Sequence, residues 1–300
     1  MPLPVILDTD IGFDVDDVWA LAFLLKCPEL DVRLITTSTG DTTYSAGLVA
    51  KLLSIAGRTD IPIGVGIPLE STAKTHAAWL GDFCLEDYAG TVLHDGVSAI
   101  CDTILASADP VSVICIGPLA NIAAALSRAP SITGNSRFIG MHGSIHRGYL
   151  EDDQPVPEYN VKLHTAACQK VFGTDWDLTI TPLDTCGVIR LTGDNFRAVQ
   201  SSTDPLTRAV LENHFGWFEA CSDWEFLKAY DPESETSVLY DTVAVYLAYS
   251  EALLEIETQP IVVTDDARTI IDTNGTEVRC ALGWRDQAAF ESLVAERLSS

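Results

Sequence analysis

The sequence has few basic residues and no cluster of them. Lys and Arg total 18 against 43 Asp and Glu, which gives the 300-residue chain a formal net charge of -25. Such a chain repels nucleic acid and anionic membrane surfaces, so neither is an expected partner. The excess of carboxylates instead suits a protein that gathers cations.

The chain also lacks the marks of secretion and of membrane insertion. Its first residues, MPLPVILDTD, contain no basic residue and only three consecutive apolar residues before the first Asp. A signal peptide and a transmembrane helix both need longer apolar runs, so neither is expected. We therefore predict a cytoplasmic protein.

No pair of cysteines has the CxxC spacing of a zinc or redox site. The eight cysteines are scattered through strand-like and helix-like runs. This pattern indicates buried free thiols in a reducing compartment and argues against a disulfide framework.

What the sequence does have is a regular alternation of strand-like and helix-like segments in its first half. They follow one another at residues 5–7, 18–25, 32–37, 46–56, 61–65, 97–106, 111–116, 119–126 and 137–141. This rhythm predicts an α/β fold with a central, mostly parallel, Rossmann-like sheet flanked by helices on both faces. Because no linker or shift in composition interrupts the chain, residues 1–300 are predicted to form a single domain.

The second half of the chain is more mixed. It contains a strand-like run at 178–183 and a long helical stretch at 205–228. Two further strand-like runs, 269–271 and 278–282, flank Asn274-Gly275. Because Asn-Gly is a favoured turn between paired strands, these two runs are predicted to form a hairpin.

Five carboxylates crowd the segment between the first strand and the first helix: Asp8, Asp10, Asp14, Asp16 and Asp17. Ligands of parallel sheets bind at the carboxyl ends of the strands, where this segment lies. One Asp could cap the helix and another could stabilise a turn, but five cannot all be caps. Crowded carboxylates repel one another unless a cation neutralises them, and oxygen ligands select Ca²⁺ or Mg²⁺. The segment therefore predicts a metal site.

Further ligands must come from elsewhere in the chain. Asp241 is the leading candidate because it opens an apolar helix, although a helix N-cap would also explain it. The strand end at Ile116 could add a backbone carbonyl. A bound cation lowers the pKa of its water, a nearby carboxylate can take the proton, and the same cation can hold two sugar hydroxyls.

Four segments of the chain stand in a distinctive order. They are Asp8-Thr9-Asp10-Ile11-Gly12 with Asp16-Asp17, Gly117-Pro118-Leu119-Ala120-Asn121-Ile122-Ala123, Glu158-Tyr159-Asn160, and Leu239-Tyr240-Asp241. Their order and spacing, over roughly residues 4 to 250, resemble the inosine–uridine preferring nucleoside hydrolase family. The resemblance implies hydrolysis of the N-glycosidic bond of ribonucleosides to ribose and free base, by a calcium-bound water activated by an Asp.

The resemblance also implies roles for individual residues. Asp10 would bind Ca²⁺ and act as the general base. The calcium ligands would be Asp10, Asp17, Asp241 and the carbonyl of Ile116. The ribose pocket would contain Asp16 and Asn160 at the 2′- and 3′-hydroxyls, Glu158 on the 5′ side, and Met141. The family further implies a homodimer or homotetramer and a role in purine or pyrimidine salvage.

Several residues depart from the family pattern. Phe13-Asp14-Val15 makes the opening motif two residues longer than usual, so either Asp14 or Asp16 contacts the ribose. Tyr240 stands where the family often has His, a candidate acid for the leaving base. The phenol of Tyr240 could still donate this proton as a catalytic residue, but its ordinary pKa of about 10 makes it a weaker acid than imidazole. Trp79, His76, Trp224 and Tyr230 are candidates to contact the base.

Two other functions remain open at this point. A catalytically inactive nucleoside- or sugar-binding protein on the same fold would explain Tyr240 and the altered loops. A Mg²⁺-dependent haloacid-dehalogenase-like phosphatase also begins with a strand and D-x-D, but Gly12 stands where that family needs Thr or Val.

Overall fold

The computed structural model describes residues 1–69 and 71–300. Its centre is a sheet of ten strands, counted over these residues, in the spatial order β4-β3-β2-β1-β5-β6-β7-β10-β8-β9 when numbered along the chain. The strands are β1 Leu3–Thr9, β2 Leu30–Thr37, β3 Ile63–Val65, β4 Val92–Leu93, β5 Val111–Cys115, β6 Ser136–Met141, β7 Leu178–Thr181, β8 Leu254–Val263, β9 Thr269–Ile271 and β10 Thr276–Trp284. All neighbours from β4 to β10 are parallel, and only β8 pairs antiparallel, with β10 on one side and β9 on the other.

Helices connect the strands and cover both faces of the sheet. They are α1 Asp16–Leu25, α2 Thr42–Ile55, α3 Ala77–Leu80, α4 Gly96–Ala106, α5 Ala120–Arg128, α6 Tyr159–Leu163, α7 Thr165–Phe172, α8 Leu183–Cys186, α9 Gly193–Gln200, α10 Pro205–Ala220, α11 Thr242–Leu247 and α12 Gln287–Ser299. Within the described residues, every helix is too short or too polar to cross a membrane.

The buried strands explain why the sheet is covered on both faces. Side chains alternate between the two faces of a strand, and in β1 both sets are apolar. Val5 and Leu7 pack into one hydrophobic cluster with α1, whereas Ile6 packs into a second cluster on the opposite face. Strands that are apolar on both faces are stable only between two helical layers, as the sequence pattern indicated.

At β1 the chain changes the side of the sheet on which it adds strands, although these strands stay parallel. From β1 the sheet continues through β2 on one side and through β5 on the other. In open parallel sheets this point leaves a crevice beyond the carboxyl ends of the two strands, where ligands bind. The chain places the acidic segment after Thr9, the end of β1, beside Ile116 and Gly117, which follow β5.

The predicted α/β fold with a mostly parallel sheet is confirmed, but two predictions for the second half of the chain are wrong. The strands that flank Asn274-Gly275 exist, yet β9 and β10 do not pair with each other, because β8 lies between them and pairs with both. The long helical stretch predicted for 205–228 ends at Ala220, and a separate short 3₁₀ helix follows at Glu225–Ala229.

Candidate active site

A cavity of about 500 Å³ opens at the carboxyl ends of β1, β5 and β6. Its described lining residues are Asp10, Phe13, Asp14, Asp16, Asp17, Ile116, Met141, Tyr149, Leu150, Glu158, Tyr159, Asn160, Trp224, Phe226, Tyr240 and Asp241. A volume of this size suits a small organic ligand. Of the residues predicted to contact the metal, the sugar or the base, Trp79, His76 and Tyr230 are not among the described residues that line this cavity, and the others line it.

Asp8, the first carboxylate of the acidic segment, is part of the framework and does not line the cavity. It is buried, and it accepts hydrogen bonds from Thr36 Oγ1 at 2.5 Å and from Asn121 Nδ2 at 2.7 Å. These bonds tie the end of β1 to β2 and to α5. Burial raises the pKa of Asp8 to about 6, although its hydrogen-bond donors act in the opposite direction.

Three carboxylates converge at the bottom of the cavity. One oxygen from each of Asp16, Asp17 and Asp241 lies within 4.8 Å of the others, and the three residues are 3–4% exposed. Asp16 and Asp17 form the first turn of α1, whereas Asp241 immediately precedes α11, which packs on α1. The contact between two helices thus brings together residues more than two hundred positions apart in the sequence.

Asp10 lines the same cavity close to the loop that follows β5. A Cβ added to Gly117 would lie 2.7 Å from Asp10 Oδ1, so only glycine leaves room for this carboxylate. Removal from water, and then repulsion by Asp17, raises the pKa of Asp10 well above its usual value. Burial followed by repulsion from neighbouring carboxylates does the same to the pKa of Asp16 and of Asp241.

The cavity contains no basic group to neutralise these acids, as far as its described lining residues show. None of its five aspartates forms an ion pair with a Lys or Arg of the described chain. Carboxylates this close are stable as anions only with a cation between them. The donor set is made of oxygen alone, which suits a hard divalent cation. Asp16, Asp17 and Asp241 could therefore hold a metal ion.

The sequence assigned Asp10, Asp17, Asp241 and the Ile116 carbonyl to the metal, and Asp16 to the ribose. All of them line the same cavity. The carboxylate oxygens that lie close enough together to share one metal ion are those of Asp16, Asp17 and Asp241, and this group does not include Asp10. The Ile116 carbonyl accepts a hydrogen bond from Asn160 Nδ2 at 3.1 Å. The division of these oxygens between cation and sugar stays a prediction.

Glu158 and Asn160 form the wall of the cavity beside β6. The Glu158 carboxylate caps α6 by accepting from the backbone N–H groups of Asn160 at 2.7 Å and Val161 at 3.2 Å, and it also accepts from Gly143 N at 3.1 Å. Burial raises the pKa of Glu158 to about 7. Asn160 Nδ2 also donates to the Met141 carbonyl at 3.0 Å, so this amide is held in one orientation.

The two-residue extension of the opening motif is held firmly by side chains from distant segments. The Phe13 carbonyl accepts from Thr75 Oγ1 at 2.7 Å and from Trp217 Nε1 at 2.9 Å. His76 Nε2 lies 2.9 Å from the Asp14 carbonyl. Burial lowers the pKa of His76 to about 4, so the imidazole is neutral and donates this hydrogen bond. His76 therefore supports the loop and does not line the cavity.

The mouth of the cavity is aromatic. The Phe13 ring stacks on Tyr159 with centroids 6.1 Å apart, and it lies 5.2 Å from the ring of Trp224. Tyr149 meets Tyr240 edge-on at 6.0 Å. Of these five rings the sequence analysis proposed only Trp224 and Tyr240 as site residues. Tyr159 could also have been proposed, because it lies inside the Glu158-Tyr159-Asn160 segment that contributes to the family resemblance.

Two predicted base contacts come out differently. Trp79 does not line the cavity: the Lys51 ammonium lies 4.3 Å from its ring centroid and also donates to its carbonyl, which holds α3 on α2. Tyr240 does line the cavity, but burial and then the nearby charge of Asp14 raise its pKa above the ordinary phenol value. This shift makes Tyr240 a weaker acid than the sequence alone indicated.

Comparisons with known proteins agree with this geometry. A non-specific ribonucleoside hydrolase, RihC, from Klebsiella pneumoniae is 32% identical over 204 residues, which are 65% of this chain and 66% of that protein. The alignment thus spans just under two thirds of that relative. A pyrimidine-specific ribonucleoside hydrolase, RihA, from Escherichia coli is 26% identical over 247 residues, 77% of this chain and 78% of that protein.

Similarity in structure extends over the whole chain. A solved plant nucleoside hydrolase superposes with a TM-score of 0.81 at 21% identity, covering 100% of both chains. The sequence profile described as inosine-uridine preferring nucleoside hydrolase matches residues 5–293. This match excludes the haloacid-dehalogenase alternative: the chain belongs to the inosine-uridine preferring nucleoside hydrolase family.

Proposed function

We propose that this protein hydrolyses the N-glycosidic bond of ribonucleosides and releases ribose and the free base. The observation that carries the proposal is the cavity itself, in which a cluster of carboxylates lies beside Glu158 and Asn160 and under an aromatic mouth. The carboxylates suit a cation and the hydroxyls of a sugar, and the rings suit a planar base. The names of the relatives, which are ribonucleoside hydrolases, support the same reaction.

We further propose that the cation is Ca²⁺, held by Asp17 and Asp241 together with Asp10 and the Ile116 carbonyl. The crowding of buried carboxylates without a basic neighbour supports a divalent ion at this place. A bound divalent cation supplies Lewis acidity toward water and toward sugar hydroxyls.

The residues of the chain supply the remaining chemistry. In this proposal Asp10, which lines the cavity, takes a proton from the attacking water as the C1′–O bond forms. The C1′–N bond breaks with its electron pair going to the base. The transition state carries positive charge on the sugar, and the remaining carboxylates of the cavity stabilise that charge. Asp16 and Asn160 orient the ribose hydroxyls, and Glu158 borders the 5′ side.

The test is release of free base and reducing sugar from a panel of purine and pyrimidine nucleosides, with Ca²⁺ and after chelation. We expect release that depends on Ca²⁺ and that Mg²⁺ restores less well. Binding of nucleosides without any release, in protein that has bound Ca²⁺, would favour an inactive binding protein on the same fold.

Other expectations from the family stay predictions. They are assembly as a homodimer or homotetramer, a cytoplasmic location, and a role in purine or pyrimidine salvage. The relatives themselves differ in specificity, since one is named non-specific and another pyrimidine-specific. Family membership therefore does not determine which base this protein accepts.

A further inference from the structure

The extension at Phe13 and Asp14 adds two groups to the cavity that the shorter motif would not have. Both side chains line the cavity, and both are half-buried. Phe13 belongs to the aromatic mouth through its contacts with Tyr159 and Trp224. Asp14 follows Phe13 directly, and its charge is the strongest of those that act on Tyr240. Asp14 thus lies where the cation site meets the aromatic mouth.

One oxygen of Asp14 is committed and the other is open. Oδ1 accepts from the backbone N–H of Val15 at 2.7 Å. No donor from the described residues reaches Oδ2, although the residue faces the cavity. A carboxylate oxygen beside stacked rings is a strong acceptor for an N–H group in the plane of a bound base.

The position of this acceptor is fixed by the framework. Thr75, His76 and Trp217 hold the carbonyls of Phe13 and Asp14 on the side away from the cavity. The His76 imidazole also contacts the side-chain amide of Asn213, with Nδ1 3.1 Å from that group, so α10 supports the loop through both Asn213 and Trp217. A preorganised acceptor discriminates between ligands better than a mobile one, because the carboxylate does not have to be ordered when the ligand binds.

The negative charge of the cavity determines which ligands it favours, namely those that present hydrogen-bond donors. Six of its described lining residues carry carboxyl groups and none carries a positive charge. An amino group on the base presents hydrogen-bond donors to such a surface. A carbonyl oxygen at the same ring position presents a partial negative charge, which a carboxylate repels.

We propose that Asp14 is a specificity-determining residue that accepts a hydrogen bond from the exocyclic amino group of the leaving base. This inference rests on the proposed function. It assigns as preferred substrates the nucleosides with an amino-substituted base, such as adenosine and cytidine, over the oxo counterparts inosine and uridine.

The experiment compares adenosine with inosine and cytidine with uridine, because each pair shares its sugar and ring system and differs in the exocyclic group. For the wild type we expect a higher kcat/KM for the amino member of both pairs. Asp14→Asn should reduce the amino-to-oxo ratio by about ten-fold or more, since the amide can donate to the oxo group. Asp223→Asn, the same change at an exposed aspartate that precedes Trp224 in the sequence, is the control and should leave the ratio unchanged.

Two results would overturn the inference and leave the proposed function intact. One is an equal loss of kcat/KM for all four nucleosides in Asp14→Asn, which would assign Asp14 to the sugar or the cation. The other is a kcat/KM of Asp14→Asn equal to that of the wild type for all four nucleosides, which would leave Asp14 without a contact to the base. If the wild type hydrolyses none of the four, the proposed function fails. In that case the dissociation constants of the same nucleosides are measured by calorimetry for wild type and Asp14→Asn. The inference then stands if the wild type binds the amino member of each pair more tightly and Asp14→Asn loses this preference, and it fails if the preference is absent or unchanged.

Discussion

Asp241→Asn should stabilise the metal-free protein and weaken its response to calcium. Asp241 lies within 4.8 Å of both Asp16 and Asp17, and two full charges at that separation repel by about 3.5 kcal/mol at an effective dielectric constant of 20. Protonation relieves part of this repulsion. We therefore expect a gain of about 1–3 kcal/mol in the free energy of unfolding of the chelated variant at pH 8. The amide can also donate to Asp16.

The pH dependence of the chelated wild type follows from the same repulsion. Burial, partly offset by hydrogen bonds from Thr9, raises the pKa of Asp17 to about 7, and burial raises that of Asp14 to about 6. Between about pH 4 and 7 the folded state therefore binds more protons than the unfolded chain, whose carboxyls titrate near pH 4. Protonation of these two carboxyl groups therefore stabilises the folded, chelated protein at low pH. This contribution to the free energy of unfolding is lost as the pH rises through this window.

The assay is thermal unfolding of wild type and Asp241→Asn, each with EDTA and with CaCl₂, at pH 5 and pH 8. For a chain of this length, 1 kcal/mol corresponds to about 2 °C in Tm. We expect the chelated variant to melt above the chelated wild type at pH 8, with a smaller difference at pH 5. Calcium should raise the Tm of the wild type strongly, because a ligand at one hundred times its Kd adds about 2.7 kcal/mol.

The result that refutes the reasoning is specific. If the two chelated proteins melt together at pH 8, or if calcium raises the Tm of both equally, Asp241 does not belong to a cation site. Asp223→Asn removes one exposed negative charge from the same chain and controls for the change in net charge.

Three further predictions concern other residues. Asp10→Asn should reduce turnover by orders of magnitude in the nucleoside assay, and near-normal activity would remove Asp10 from the base role. Gly117→Ala should also abolish most activity while the far-UV circular dichroism stays native, because its Cβ would displace the Asp10 carboxylate, whereas Gly134→Ala, with no atom within 4 Å of the added Cβ, should be neutral. His214→Gln should lessen the acid sensitivity of folding. Burial lowers the pKa of His214 to about 4, so the unfolded chain gains a proton first and stability is lost as the pH falls from about 6.5 to 4. In urea unfolding, the difference in the free energy of unfolding between wild type and variant should shrink by about 3 kcal/mol over that range. A constant difference would contradict this prediction.

The sheet could be predicted because its information is local in the sequence. Each strand from β1 to β7 follows a helix or a turn in order, and parallel strands need a crossover that the helical patterns supplied. The antiparallel end failed for a different reason. The Asn274-Gly275 turn indicates where the chain reverses, but it does not determine which strand is the partner. Strand β8 contains a polar run, Glu257-Thr258-Gln259, followed by Pro260 in its interior, and the sequence analysis did not identify it as a strand.

The site could be predicted in part for the same reason. The acidic segment is contiguous, Asp241 stands at the start of an apolar helix, and the family resemblance added Glu158 and Asn160. The aromatic mouth could not be predicted, since Phe13, Tyr149 and Phe226 come from separate loops without periodicity. Only the tertiary fold brings these rings together.

Hydrogen-bond donors separate the aspartates that stabilise the fold from those that serve the cavity. Asp8 receives donors from Thr36 and Asn121, so its burial is compensated within the protein. Asp17 receives one from Thr9. Within the described chain no side-chain donor reaches Asp10, and Asp241 has a side-chain hydrogen bond only with the carboxyl group of Asp16. A fold that left these two carboxylates buried beside other acids for no purpose would lose stability, since replacing either by an amide or an apolar group would relieve the repulsion. We therefore expect their partners to come from outside the chain, as the cation and the sugar hydroxyls proposed above.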